Sequence, residues 1–336
     1  MEYTQLGRSH MWVSKVCLGT MFFGERTPQD EAFRIMDRCL ELGINFFDTA
    51  NVYGGASNPG GSETVIGKWF QQGGGRRERV VLATKLYGSM GDPNLDPNKR
   101  AGFSAYKARK EVTDSLRRLQ TDHIDLYQVH HFVRGISPEE FWGAYEQMAR
   151  EGKVLYAGTS NFPGWGLAKF QLQAWQRGFT GLISEQTMFN LLCRYPELEV
   201  LPAAEEMGIG VLAYMPLAGG LLTGKVRAAE GSRTSSVAQE YGVTVDEQNR
   251  QLGEFSAVCR ELGEKENIVA IAWTLAHPAV HSAIVGIRTL EHLDGIERAA
   301  ALKLSPEVME RLDAIFDINK GRALRSSRPA PEAYAW

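Results

Sequence analysis

The chain of 336 residues carries 37 Lys and Arg against 40 Asp and Glu, a net charge of −3. That balance leaves no basic face for nucleic acid or an anionic membrane, while 43% hydrophobic residues supply a full core and argue against disorder. Cys17, Cys39, Cys193 and Cys259 are scattered without a CxxC pair, which excludes a disulfide framework and favours a reducing compartment. The opening MEYTQLGRSHMW has no basic-then-apolar leader, and no uncharged apolar run nears the ~18 residues of a membrane span, so a cytoplasmic protein is expected.

In chain order, short apolar or β-branched runs alternate with amphipathic stretches. Strands are expected at 16–21, 46–48, 80–85, 125–130, 154–160, 181–186, 210–214 and 282–285. Helices are expected near 29–42, 63–70, 106–119, 138–150, 165–176, 196–207, 247–265, 270–277 and 290–301. Eight strand-then-helix units predict an α/β fold, a (β/α)₈ barrel, as one domain over 1–336. Residues 3–6 and 12–14 are expected to pair as a hairpin under the barrel. A glycine-rich loop, 215–246, follows the seventh strand and is a natural lid, and the tail 319–336 is irregular.

A barrel places its chemistry where strands end. The second strand closes on Asp48 with Tyr53 five residues on, the third on Lys85 and the fourth on His130. Singly, each reads as a cap or a packed side chain. Together they have a logic: a buried lysine needs a carboxylate partner, and a lysine beside a phenol lowers the tyrosine pKa from its usual ~10. Several motifs fail their context. The GxGxxA of 208–213 enters a strand instead of leaving one, so it is not a dinucleotide fingerprint. There is no P-loop, and His277 and His281 straddle Pro278 with no third metal ligand, so no metal is expected.

These residues resemble the aldo-keto reductase family, over about residues 3–317. The resemblance rests on LGTM at 18–21, FDTANVYG at 47–54, ATK at 83–85, SLRRLQTDHIDLYQVH at 115–130, GTSNF at 158–162, EQTMFNLL at 185–192, YMPLAGGLLTGK at 214–225 and IVGIRTLEHL at 284–293. It implies a reductase in which Tyr53 donates a proton to the carbonyl oxygen as hydride arrives from nicotinamide. Lys85 and Asp48 would tune Tyr53, and His130 would orient the carbonyl. His131 is assigned to the substrate rim, because strand alternation should turn it away from His130.

The resemblance also implies a cofactor site. Ser160, Asn161 and Gln186 would hold the carboxamide and Tyr214 would stack on the ring, with Thr20, Met21 and Asp48 beside it. Leu217, Gly219, Leu221 and Lys225 would wrap the pyrophosphate. Gly286, Arg288 and His292 would meet the adenosine, and Arg288 with Arg233 would pair with a 2′-phosphate, so NADPH is expected over NADH. Phe22, Phe23, Tyr87, His131, Phe132 and Phe162 would form an aromatic substrate wall for a small-molecule carbonyl. Similarity to bacterial keto-deoxysugar reductases and a broad aldehyde or ketone reductase both stay open, as does the oligomeric state. The alternative is an NADPH-binding regulatory subunit resembling potassium-channel β-subunits, which share the barrel.

Overall fold

The computed structural model describes residues 1–92, 94–225 and 244–317. Arg233, much of the 215–246 loop and the 319–336 tail therefore lie outside the described residues.

The elements run β1 (Tyr3–Gln5), β2 (Trp12–Ser14), β3 (Val16–Gly19), α1 (Gln29–Glu41), β4 (Phe46–Asp48), α2 (Gly61–Phe70), β5 (Val81–Leu86), α3 (Ala105–Leu119), β6 (Ile124–Val129), α4 (Pro138–Arg150) and β7 (Val154–Ser160). They continue α5 (Gly164–Gln176), β8 (Leu182–Met188), α6 (Val200–Met207), β9 (Gly210–Tyr214), α7 (Val245–Leu262), α8 (Glu266–Ala276), β10 (Val280–Gly286), α9 (Ile296–Ala301) and α10 (Pro306–Ile315). Strands β3 to β10 close into a parallel barrel in sequence order, with β10 pairing back onto β3, so the expected (β/α)₈ architecture is present.

Helix α1 shows how the outer layer covers the sheet. In α1 the buried residues are Ala32, Ile35, Met36, Cys39 and Leu40, the i, i+3, i+4, i+7 pattern of a helix with one apolar face. Capping side chains set several starts: Ser104 accepts from Lys107 N–H, Ser137 from Glu140 N–H ahead of α4, and Thr244 from Glu247 N–H. Two expected helices are each split. Gly295, at φ +79°, separates a 3₁₀ turn at Leu290–Leu293 from α9, and a kink at Glu199 separates Tyr195–Leu198 from α6. Helix α10 was not expected, although Ser305 capping Val308 N–H with Pro306 behind it is a legible start signal.

The β1–β2 hairpin pairs antiparallel, Tyr3 opposite Ser14, and plugs the lower end of the barrel. Its Leu6 and Val13 pack with Cys17, Phe46, Ala83, Leu126, Ile183, Leu212 and Ile284 from the strands. The plug approaches so closely that Gly7, at φ +53°, leaves no room for a Cβ, which would lie 2.3 Å from the Ile183 carbonyl oxygen. The lower barrel is thus filled mainly with apolar side chains, while the buried ion pair of Asp48 and Lys85 sits at the upper strand ends. Among the described residues no helix is long and apolar enough to cross a membrane.

Candidate active site

Strand side chains alternate between the barrel interior and the helix layer. Two residues above Phe46, Ala83 and Leu126 in the interior cluster, that period brings Asp48, Lys85 and Gln128 inward at the upper end. Lys85 is fully buried, and its Nζ donates to Asp48 Oδ2 at 2.6 Å, to the Thr49 carbonyl at 2.9 Å and to Tyr53 Oη at 3.3 Å. Asp48 Oδ1 accepts from Gln186 Nε2 at 2.9 Å and Gln128 Nε2 at 3.2 Å. The carboxylate is saturated by one cation and two amides, which is what a buried charge requires.

Tyr53 stands on a tight turn beyond β4. Its carbonyl accepts from Gly60 N–H and Ser62 N–H at 3.1 Å each, so the glycine run folds back and pins it. Gly54 is at φ +118°, where a Cβ would meet the Asn58 carbonyl at 2.6 Å. The His130 ring lies edge-on to Tyr53, centroids 5.7 Å apart. The structure thus brings the four candidate residues together.

The electrostatics differ from expectation at Tyr53. Burial raises its pKa above the ordinary tyrosine value; Lys85 pulls it down and Asp48 pushes back, and burial wins. The expected lowering by Lys85 is real but outweighed, so the phenol is held protonated. Burial also opposes the Lys85 ammonium, yet Asp48 and Tyr53 together raise its pKa. His130 is held well below the usual histidine value by burial, then by Lys85 and His131, and is neutral at physiological pH.

His131 corrects a second expectation. Its ring stacks on His130 at 4.8 Å and 15° instead of turning away. Strand β6 ends at Val129, so period-two alternation no longer applies. Tyr87 packs edge-on against His131 at 4.8 Å, which places Tyr87, His131, His130 and Tyr53 in one aromatic run. The rest of the expected wall disperses. Phe23 is fully buried in the hydrophobic core, and Phe132 and Phe162 pack on each other, with Phe132 against Trp165 and Phe162 against Phe170. Burial behind the sheet leaves these three little surface for a ligand. The guanidinium groups of Arg26 (5.0 Å to the centroid) and Arg288 (5.9 Å) both lie over the Phe22 ring, which is on the β10 side of the mouth and not with Tyr87.

Across the mouth, Ser160, Asn161, Gln186 and Tyr214 form one network. Asn161 Nδ2 donates to the His130 carbonyl and to Ser160 Oγ, both at 3.0 Å, and its Oδ1 accepts from Tyr214 Oη at 2.9 Å. Ser160 Oγ donates to the Gln186 carbonyl. Asn161 sits at φ +58°, Met215 at +55° and Ala218 at +48°, so strained non-glycine backbone gathers at the upper strand ends. Behind this network, Glu185 accepts from Thr159 Oγ1 at 2.5 Å and Phe162 N–H at 2.9 Å, bracing both sides of the Asn161 turn. Burial raises its pKa to about 8.

Thr20 Oγ1 donates to the Asp48 carbonyl, and Met21 beside it is exposed. On the outer rim, Leu217 precedes a run with Gly219 at φ +67° and a buried Leu221. Gly286, Arg288 and His292 are exposed at the end of β10, and His292 Nδ1 accepts from Arg288 N–H. Arg26, Lys225 and Arg288 have no carboxylate partner among the described residues. Gln128, Glu185 and Arg26 were not singled out from sequence. Gln128 shares the inward period of Leu126 and was findable; the other two carry no local signal.

The donor set fits a nicotinamide dinucleotide. Gln186 Nε2 is anchored on Asp48 while its Oε1 keeps no donor among the described residues, as an acceptor for a carboxamide should. The unpaired cations suit phosphate.

The aldo/keto reductase family model matches residues 15–317. An uncharacterized oxidoreductase of Bacillus subtilis (strain 168), YrpG, is 50% identical across the whole of both chains. Versiconal hemiacetal acetate reductase of Aspergillus parasiticus is 30% identical over 93% of this chain and 96% of its own. A probable voltage-gated potassium channel subunit beta of Oryza sativa subsp. japonica is 31% identical over 94% of this chain and 96% of its own. With a closed barrel, an Asp–Lys–Tyr–His cluster at its upper end and a match across nine-tenths of its length, the chain belongs to the aldo/keto reductase family of nicotinamide-dependent oxidoreductases.

Proposed function

We propose that the chain reduces an aldehyde or ketone carbonyl of a small molecule to the alcohol, with NADPH preferred over NADH and Tyr53 as general acid. The observation that carries this reading is the buried Asp48–Lys85 pair with the Tyr53 hydroxyl 3.3 Å from the same ammonium.

When bound, a reduced nicotinamide supplies hydride to the carbonyl carbon. Tyr53 Oη donates its proton to the carbonyl oxygen, which becomes a far stronger base than a phenolate, so a phenol held protonated by burial is a suitable donor. Lys85 stabilises the phenolate left behind, and Asp48 holds that ammonium in place. Neutral His130 serves as a hydrogen-bond donor to the carbonyl oxygen and orients it. Ser160, Asn161 and Gln186 take the carboxamide, with Tyr214, Thr20 and Met21 beside the ring. Leu217, Gly219, Leu221 and Lys225 meet the pyrophosphate; Gly286, Arg288 and His292 meet the adenosine, with Arg288 on the 2′-phosphate.

The aromatic run of Tyr87 and His131 suits flat or ring-shaped carbonyl compounds, including keto-sugars. The test is loss of NADPH absorbance with an aromatic aldehyde, an aromatic α-diketone and a keto-sugar. Tyr53→Phe is expected to abolish turnover and leave NADPH affinity nearly unchanged; collapse of cofactor binding would overturn the assignment. The similarity to a potassium-channel β-subunit favours a second reading, a cofactor-binding regulatory subunit. Tight NADPH binding with no turnover of any of the three carbonyls would favour it.

A further inference from the structure

We infer that Arg26 is the second guanidinium of the adenosine 2′-phosphate site, holding that phosphate together with Arg288 beside the Phe22 ring. The inference rests on the NADPH reading above and adds a specificity-determining residue from a different loop.

The loop after β3 is wound around one carbonyl: the Phe22 oxygen accepts from the N–H groups of Glu25, Arg26 and Thr27 at 3.0–3.2 Å. That winding returns Arg26 over the Phe22 ring, its guanidinium carbon 5.0 Å from the centroid. The Arg288 guanidinium stands over the same ring at 5.9 Å. The two loops are neighbours because β3 and β10 close the barrel, Gly19 opposite Gly286. Thr27 Oγ1 ties them by donating to the Arg288 carbonyl, and His292 Nδ1 holds the Arg288 N–H.

Two guanidinium groups are therefore gathered on one ring with no carboxylate partner for either among the described residues. Of the acids nearby, Glu31 pairs with Arg34 and accepts from Leu290 N–H, and Glu25 lies against Gly55; neither these nor Glu291 beside His292 forms an ion pair with Arg26 or Arg288 among the described residues. Like charges repel, and the ring's negative face offsets that only in part. An anion with several oxygens relieves it fully. A phosphate monoester, with three terminal oxygens and up to two negative charges, can accept from both planar guanidinium groups at once and neutralise both. Arg288 lies just beyond the upper end of β10 beside His292, where the proposed function puts the adenosine, so the phosphate the pair fits is the one on that end.

The test is quenching of tryptophan fluorescence in the purified chain, titrated with NADP⁺, NAD⁺, 2′,5′-ADP and 5′-AMP. Arg26→Gln is expected to weaken NADP⁺ and 2′,5′-ADP about tenfold, a lost charge-assisted contact, with NAD⁺ and 5′-AMP within about twofold. Arg26→Lys should recover part of the loss, and Arg26→Gln with Arg288→Ala should leave no preference for the 2′-phosphate. Equal losses for both members of each pair, or no loss, overturn the role of Arg26. If the unaltered chain prefers NADP⁺ and only Arg288→Ala removes the preference, this inference falls and the NADPH reading stands. If the unaltered chain shows no preference, both fall.

Discussion

Lys85 and Arg288 are two cations at the same barrel mouth in opposite states. Lys85 is fully buried and already has three acceptors, one of them the Asp48 carboxylate. Arg288 is exposed and stands with Arg26 on an aromatic ring. A cation satisfied from within sets the charge environment of its neighbours and changes little when a ligand arrives. A cation left without a counter-charge has its binding capacity in reserve. The first suits proton chemistry, and the second suits affinity and selectivity.

The largest way to break that contrast is to remove the buried cation. Lys85→Met leaves Asp48 an uncompensated buried carboxylate, a change that costs about 3–5 kcal/mol in such pairs. Chemical denaturation should show that loss, with turnover abolished; a stable variant that still reduces carbonyls would detach Lys85 from both roles. Arg288→Ala acts at the other extreme. The fold should be untouched, within about 0.5 kcal/mol for an exposed side chain, while NADPH affinity falls about tenfold and NADH affinity much less. Equal weakening of both cofactors would remove Arg288 from the 2′-phosphate.

A third effect, read against pH and not as the loss of a single contact, sharpens the picture of the wall behind Asn161. Glu185 has a folded pKa of about 8 against an ordinary 4.5, so the fold binds an extra proton between those values. The stabilisation is full below about pH 4.5 and is lost as pH rises through 8. The thermal midpoint of the unaltered chain should therefore decline over that window relative to Glu185→Gln, measured in parallel. Identical slopes would mean that the Glu185 carboxyl titrates as an ordinary one.

The contrast between the two cations also marks how much was legible. Asp48, Lys85 and His130 close three consecutive expected strands, and a barrel gathers its strand ends at one mouth. Gln128 shared the inward period of Leu126 and was passed over because an amide carries no conspicuous chemistry. His131 was misdirected because the period was run past Val129, where the strand stops. Phe23, Phe132 and Phe162 were read as a wall because aromatic residues near strand ends look alike in one dimension; packing behind the sheet separates them from Tyr87. The Tyr53 pKa went the opposite way from the Lys85 effect alone because desolvation depends on everything around the phenol, including residues distant in the chain.

Alternation of apolar periods, capping residues and glycines is written locally, since backbone geometry and side-chain spacing act over a few residues. From these follow the eight strand–helix units, the barrel and the inward direction of the strand-end residues. Which cations are sealed and which stay open is not local. It depends on Glu31 being taken by Arg34 and Leu290, and on β10 closing onto β3 so that Arg288 reaches the ring that Arg26 covers. Burial and charge compensation are sums over neighbours that the chain brings together only by folding.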